Sequence, residues 1–168
     1  AAAALTAHSD FTEADAIALR TLGARQVVVA TNGVTPRNRS HLRGALPDGV
    51  SPDWRYVLYV ASAHPPNASG IPELFNAMLL ALRPLERLVV CGGVALLINQ
   101  WLAKGGPAHL IHGRLVLLGE LSDLALDGLI ANATGFVLPL REGGGSNLKT
   151  AEALFSGLPI VATGTAMR

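Results

Sequence analysis

Short apolar runs recur along this chain, and each is closed by glycine, proline or small polar residues. They cover residues 56–61, 88–91, 115–118, 136–140 and 160–162, and a further β-branched run covers 26–30 before Asn32-Gly33. Near-continuous apolar runs of this length suit strands buried on both faces, as in a parallel sheet lying under helices. Helix-like segments alternate with them. Ile71, Leu74, Phe75, Met78, Leu79 and Leu82 share one helical face, and Pro72 suits the first turn of that helix, where a missing N–H costs nothing. Thr12 is placed to cap a helix over 13–22, which Gly23 stops. Further helices are expected over 94–103, from a Ser122 cap to about 133, and over 147–156, ended by Gly157. Residues 34–53 and 62–70 read as loops. Alternating strands and helices define an α/β fold, here a doubly wound parallel sheet of Rossmann type.

The bulk properties narrow the function. At 168 residues the chain fits one domain with a real core, and with 50% hydrophobic and 15% charged residues little of it reads as disordered. A net charge of +1 argues against a nucleic-acid binder that relies on a strong positive field. Cys91 is the single cysteine, which excludes an intrachain disulfide and fits a reducing, cytoplasmic setting. No apolar run reaches membrane-spanning length, and the alanine-rich start lacks the basic lead of a signal peptide. A start without Met and an end just after a strand read as a piece of a longer protein.

In such sheets ligands bind beyond the carboxyl ends of the strands. The turns expected there are 31–33, 62–70, 91–93, 119–121 and 141–146. The last is the most suggestive: Gly143-Gly144-Gly145-Ser146-Asn147-Leu148 feeds a helix start, whose free N–H groups and dipole suit a phosphate or diphosphate. Lys149 and Glu152 follow on the first turns, a cation for phosphate and an acceptor for sugar hydroxyls. Blander readings stand beside these. Lys149 also reads as a solvated surface lysine, Glu152 as an exposed-face glutamate, Gly92-Gly93 as a tight turn, and His64 as a loop histidine satisfied by backbone. Cys91 reads as a buried small hydrophobe. His109 and His112 lack the carboxylate or cysteine that would complete a metal set, and no Asp-x-Asp pair offers a bridging metal site. The basic run Arg37, Arg39, His41, Arg43 reads as a solvated loop, or as a contact with anionic lipid or a partner domain.

Taken in order, these segments resemble the donor half of GT-B glycosyltransferases, closest to the large retaining family four. The resemblance rests on Glu152-Ala153 with Gly157-Leu158-Pro159-Ile160-Val161-Ala162-Thr163, on Thr31-Asn32-Gly33 after a valine-rich run, on residues 60–70 with His64-Pro65-Pro66-Asn67, and on Leu117-Leu118-Gly119-Glu120. It covers almost the whole chain from about residue 8.

The resemblance implies binding of a nucleotide-diphosphate sugar and retaining, metal-independent transfer, with no cofactor. It implies catalytic roles for Lys149 and Glu152, the latter accepting hydrogen bonds from ribose. It implies donor contacts from Gly33, Ser62, His64, Asn67, Gly92, Glu120, Leu121, Gly143, Gly144, Gly145, Ser146, Asn147 and Leu148. It further implies one domain over 1–168, truncated at both ends. Residues 1–24 or so would arrive from a missing N-terminal domain that holds the acceptor, so the isolated chain should be inactive. A peripheral membrane contact, on the cytoplasmic face, would come through the full-length protein. Two departures stand out. The family often pairs two carboxylates with seven residues between them, and the first position falls on Gly144, two residues beyond Glu142. Its basic pair from the loop after the early strand falls on Ser62 and Ser69, leaving Lys149 as the best remaining cation. Two rival readings are a GT-B nucleotide-sugar epimerase and a non-catalytic nucleotide-binding module.

Overall fold

A computed structural model describes residues 13–29, 33–35, 37–76, 81–107, 111, 113–142 and 148–167. The chain enters through helix α1 (Glu13–Thr21) and a 3-10 turn (Ser40–Leu42). It then alternates as β1 (Arg55–Val60), two short helices α2 (Pro65–Ala68) and α3 (Ile71–Leu74), β2 (Glu86–Cys91) and α4 (Val94–Ala103). The second half runs β3 (Leu115–Leu118), α5 (Asp123–Asn132), β4 (Gly135–Leu138), α6 (Leu148–Phe155) and β5 (Ile160–Ala162). Ser122 caps α5 as expected: its hydroxyl accepts the Ala125 N–H at 3.3 Å, satisfying an otherwise unpaired donor. Gly157 ends α6 with φ +73, a left-handed conformation that favours glycine.

The five strands form one parallel sheet in the order β3-β2-β1-β4-β5. Leu58, Leu88, Val89, Val90 and Leu138 of the sheet, and Leu129 of α5 packed over it, are no more than 1% exposed. Strand β1 shows how both faces are covered. Tyr56 and Tyr59, an odd number of residues apart, point to opposite faces. The Tyr56 hydroxyl donates to the Leu129 carbonyl of α5 at 2.7 Å, and the Tyr59 hydroxyl donates to the Asn67 carbonyl of α2 at 2.6 Å. Burial pushes both phenols well above their ordinary range. The sheet is therefore doubly wound.

Four local expectations change. Residues 26–29 belong to no strand of the described residues, and Val28 is 77% exposed. A β-branched run becomes a strand only where an edge accepts its backbone and a face buries its side chains. Residues 62–70 are not all loop, because His64-Pro65-Pro66-Asn67 and Gly70-Ile71-Pro72 start two helical turns with proline at the first positions. The helix from Ile71 continues through Phe75 and Asn76 as a wider turn, and 77–80 lie outside the described residues. Finally, not every strand is covered on both faces: Val161 on the edge strand β5 is 71% exposed.

Candidate functional site

The strand order sets where a ligand can sit. From β1 the chain winds outward to β2 and β3, then crosses back beyond β1 to β4. The strand order thus reverses between β1 and β4, and the carboxyl ends at such a reversal are where sheets of this kind bind ligands. Gly70 holds the turns leaving β1 and β4 together. A methyl group there would overlap the Pro139 carbonyl oxygen, and Arg141 Cγ would lie 3.4 Å from it. The Arg141 guanidinium pairs with Glu73 on α3, so the two turns are joined by charge as well as by contact.

The strand-end turns from β1 to β3 are stitched in a row. Ala61 N–H donates to the Cys91 carbonyl at 3.1 Å, Val94 N–H to the Ala61 carbonyl at 3.1 Å, and Gly92 N–H to the Gly119 carbonyl at 3.0 Å. Gly92 has φ +90, and a methyl on it would stand 2.5 Å from the Ala61 oxygen. The tight-turn reading of Gly92 thus has a direct structural reason. Cys91 is buried, its thiol donates to the Gly119 carbonyl at 3.6 Å, and burial raises its pKa.

The remaining candidates separate by exposure. Ser62 and His64 are exposed, while Asn67 is 4% exposed. The Asn67 amide nitrogen donates inward to the Ser62 carbonyl at 3.0 Å and hydroxyl at 3.2 Å, which makes Asn67 a support of the turn. His64 enters through its backbone, accepting Asn67 N–H at 2.8 Å. Glu120 is exposed and Leu121 half-buried at the end of β3. Gly33 is exposed, and a methyl on it would meet nothing within 4 Å, so close packing does not explain this glycine. Gly143, Gly144, Gly145, Ser146 and Asn147 lie outside the described residues, as do His109 and His112. Leu148 opens α6 and is exposed.

On α6, buried Thr150 and Ala153 face the core, and the Thr150 hydroxyl donates to the Ala166 carbonyl at 2.7 Å. Lys149 beside them is half-buried, and desolvation lowers its pKa from the ordinary lysine value. Glu152 is exposed. Among the described residues no ion pair holds Lys149 or Glu152.

Sequence reasoning passed over two charge clusters whose partners are far apart along the chain. One is Arg141 with Glu73. The other fastens residues 37–45 along α5. Asp127 accepts Arg37 Nη1 at 2.9 Å and Arg39 Nε at 2.6 Å. Asn132 donates from Nδ2 to the Leu42 carbonyl at 3.2 Å and accepts Gly44 N–H at 2.8 Å. A methyl on Gly128 would overlap the Ala45 oxygen. Half of the basic run read from sequence is therefore engaged internally.

Two concavities lie among the described residues. An apolar groove of about 360 Å³ runs between α3 and strands β4 and β5, with Glu73 and Arg141 among its lining residues. A wider one of about 550 Å³, lined by Trp101 and Lys104, flanks the far end of α4, away from the strand carboxyl ends.

This parallel sheet is found in known structures. The chain is 18% identical to a mutant of S. aureus TarM solved with fondaparinux, alpha-GlcNAc-glycerol and UDP, covering 91% of this chain and 29% of that one with TM-score 0.58. It is 19% identical to sucrose-phosphate synthase from Thermosynechococcus elongatus, covering 92% and 39% with TM-score 0.54. It is 16% identical to the C-terminal domain of a glycosyl transferase group 1 family protein, LpcC, from Francisella tularensis, covering 77% and 66% with TM-score 0.52. No curated protein matches the chain significantly. The fold is that of a GT-B glycosyltransferase domain. The family model for group 1 glycosyl transferases matches residues 55–168, and the chain belongs to that family. It spans well under half the length of the TarM and synthase chains it resembles.

Proposed function

We propose that this domain binds the nucleotide-diphosphate sugar of a retaining, metal-independent hexosyltransferase. The acceptor would be held by a further domain preceding residue 1, in a cytoplasmic protein that meets a membrane peripherally at most. One observation carries the reading. The turn leaving β4, at the point of strand reversal, leads on to α6, whose half-buried Lys149 has no carboxylate partner among the described residues. A half-buried cation without a partner is partly desolvated, and an arriving anion would offset that cost. The amides opening α6, with Lys149, would hold the diphosphate and stabilise the negative charge that builds on it as the sugar–phosphate bond breaks. Glu152, one turn on, would accept hydrogen bonds from ribose. Ser62, His64, Glu120 and Leu121 would line the site, the last two beside the base. TarM was solved with UDP, which supports a nucleoside diphosphate as the ligand class.

Calorimetry of the chain with UDP, ADP and GDP tests the reading. At least one should bind, and Glu152→Ala should weaken that nucleotide by about 1.5–3 kcal/mol, the worth of a hydrogen bond to a charged group. An unaltered dissociation constant removes Glu152 from the site. Product analysis with the full-length protein separates transfer from epimerisation, and absence of any donor turnover there would favour a binding module.

A further inference from the structure

Helix α4 ends in a turn that leaves a tryptophan partly uncovered. Gly106 N–H donates to the Trp101 carbonyl at 3.2 Å and Gly105 N–H to the Leu102 carbonyl at 3.2 Å, with Gly105 at φ +105. These are the paired bonds of a Schellman cap, in which the residue at the Gly106 position often lays an apolar side chain on the residue at the Trp101 position. Here that residue is glycine. A methyl on it would stand 3.2 Å from the indole Cδ2, so backbone passes close to the ring while no side chain from this position covers it. Phe75 braces the indole from the neighbouring element, with ring centroids 5.4 Å apart and planes inclined at 36°. Trp101 is thus held by two neighbours yet only half-buried. Its indole N–H finds no acceptor among the described residues, and no side-chain N–H without a partner is buried there, so this donor is open to a ligand.

Trp101 lines the wider cleft of about 550 Å³ together with Asn76 and Lys104. That volume falls among small-molecule sites, roughly 300–1,000 Å³. Asn76 and Lys104 are exposed, and among the described residues neither is engaged in an ion pair. The amide offers both donors and an acceptor, and the ammonium offers donors. The cleft lies at the C-terminus of α4, where the helix dipole is negative and disfavours a phosphate. What remains is a neutral ligand with an apolar face and a polar edge. A pyranose ring has this form, with C–H groups to set against the negative face of an indole and hydroxyls around its rim.

We propose that the cleft at the C-terminus of α4 is a saccharide-binding site, separate from the strand-end turns, in which a pyranose stacks on Trp101 and its hydroxyls meet the Asn76 amide, the Lys104 ammonium and the indole N–H. The proposal goes beyond the nucleotide-site reading and does not depend on it. Membership of a glycosyl transferase family makes sugars the relevant ligand class. A saccharide chain gripped here would be kept at raised local concentration near the domain without occupying the strand-end turns.

Titration of the purified chain with maltotriose, cellotriose and mannotriose, followed by calorimetry and tryptophan emission, tests the proposal. At least one should bind with a dissociation constant on the order of a millimolar. The emission change should persist in Trp54→Phe, because Trp54 stacks under Arg87 at 4.8 Å and does not line the cleft, leaving Trp101 as the reporter. Asn76→Ala and Lys104→Ala remove exposed groups, so both should melt as the wild type does while each weakens the saccharide roughly fivefold, the loss of one hydrogen bond. Saturating UDP should leave saccharide binding unchanged. The proposal is overturned if none of the three saccharides binds, if neither Asn76→Ala nor Lys104→Ala weakens the one that does, or if UDP displaces it. A chain that binds saccharide in this way but no nucleotide would sink the nucleotide-site reading and leave the cleft proposal standing.

Discussion

Lys149 is a half-buried charge on a helix that turns its buried residues to the core. Its neighbours Thr150 and Ala153 are buried, and its own ammonium is drawn partly out of water with no anion among the described residues to compensate. The sign of the consequence follows from linkage. A lysine whose pKa is lower folded than unfolded binds its proton less tightly in the fold, so the fold is penalised at neutral pH. The penalty is relieved as pH rises through the lowered value toward the ordinary 10.5. Lys149→Met should therefore raise the melting temperature at pH 7, and the gain should shrink toward pH 10. If the proposed function holds, the same variant in the full-length protein should lose about 3 kcal/mol of transition-state stabilisation, as when one oxyanion donor is removed. Thermal melts at the two pH values check the first outcome, and single-turnover kinetics checks the second. A melting temperature unchanged at pH 7 would mean that the ammonium is fully solvated. At this scale the sequence was informative about type and poor about orientation. The placement of Lys149 and Glu152 on the early turns of a helix was readable from spacing, and so was the tight turn at Gly92. That Asn67 turns its amide inward to Ser62 was not, because the backbone path that brings those atoms together is set by two helical turns that the prolines concealed.

Among the elements, α5 shows why local patterns find boundaries better than partners. Its cap at Ser122 and its end at Asn132, next to the expected 133, follow from residues within one turn. The strands at 115–118 and 160–162 and the helix over 94–103 match the sequence reading for the same reason. The run at 26–29 fails because strand formation needs a neighbouring edge, and valine-rich composition says nothing about where that edge is. Fastening of residues 37–45 to α5 is likewise invisible in sequence, since the bonds join residues 87–90 positions apart. Asn132 is its hinge pin: Nδ2 also donates to the Gly128 carbonyl at 2.7 Å, so one side chain ties the segment to the helix backbone. Asn132→Ala should cost about 1–3 kcal/mol by leaving these groups without their partner. Equilibrium unfolding in urea measures this. Limited proteolysis should cut first within 37–45, and a variant with wild-type stability and the wild-type cleavage pattern would show that the fastening rests on Asp127 alone.

For the molecule as a whole, the two sides of the sheet are unequally finished. Strands β1, β2 and β4 lie under helices, but β5 is an edge, and Val161 is 71% exposed beside the apolar groove formed with Val137, Leu138 and Ala162. Leu154 and Phe155, each 55% exposed, extend apolar surface onto the end of α6. An open apolar face next to an unpaired strand edge invites association with other chains. The isolated chain should therefore bind a hydrophobic dye and self-associate as its concentration rises. Val161→Lys should suppress both while leaving stability within about 0.5 kcal/mol, because an exposed side chain contributes little to the fold. Sedimentation velocity and dye fluorescence check the pair, and a Val161→Lys protein that still self-associates would place the sticky surface elsewhere. The same asymmetry bears on activity. On the proposed reading the strand-end turns would offer groups for a diphosphate and a nucleoside, but the described residues include no second wall to orient an acceptor, and transfer needs both reactants aligned. The isolated chain should then hold nucleotide without transferring sugar, and sugar transfer by this chain alone would mean that the acceptor is positioned by the strand-end turns themselves.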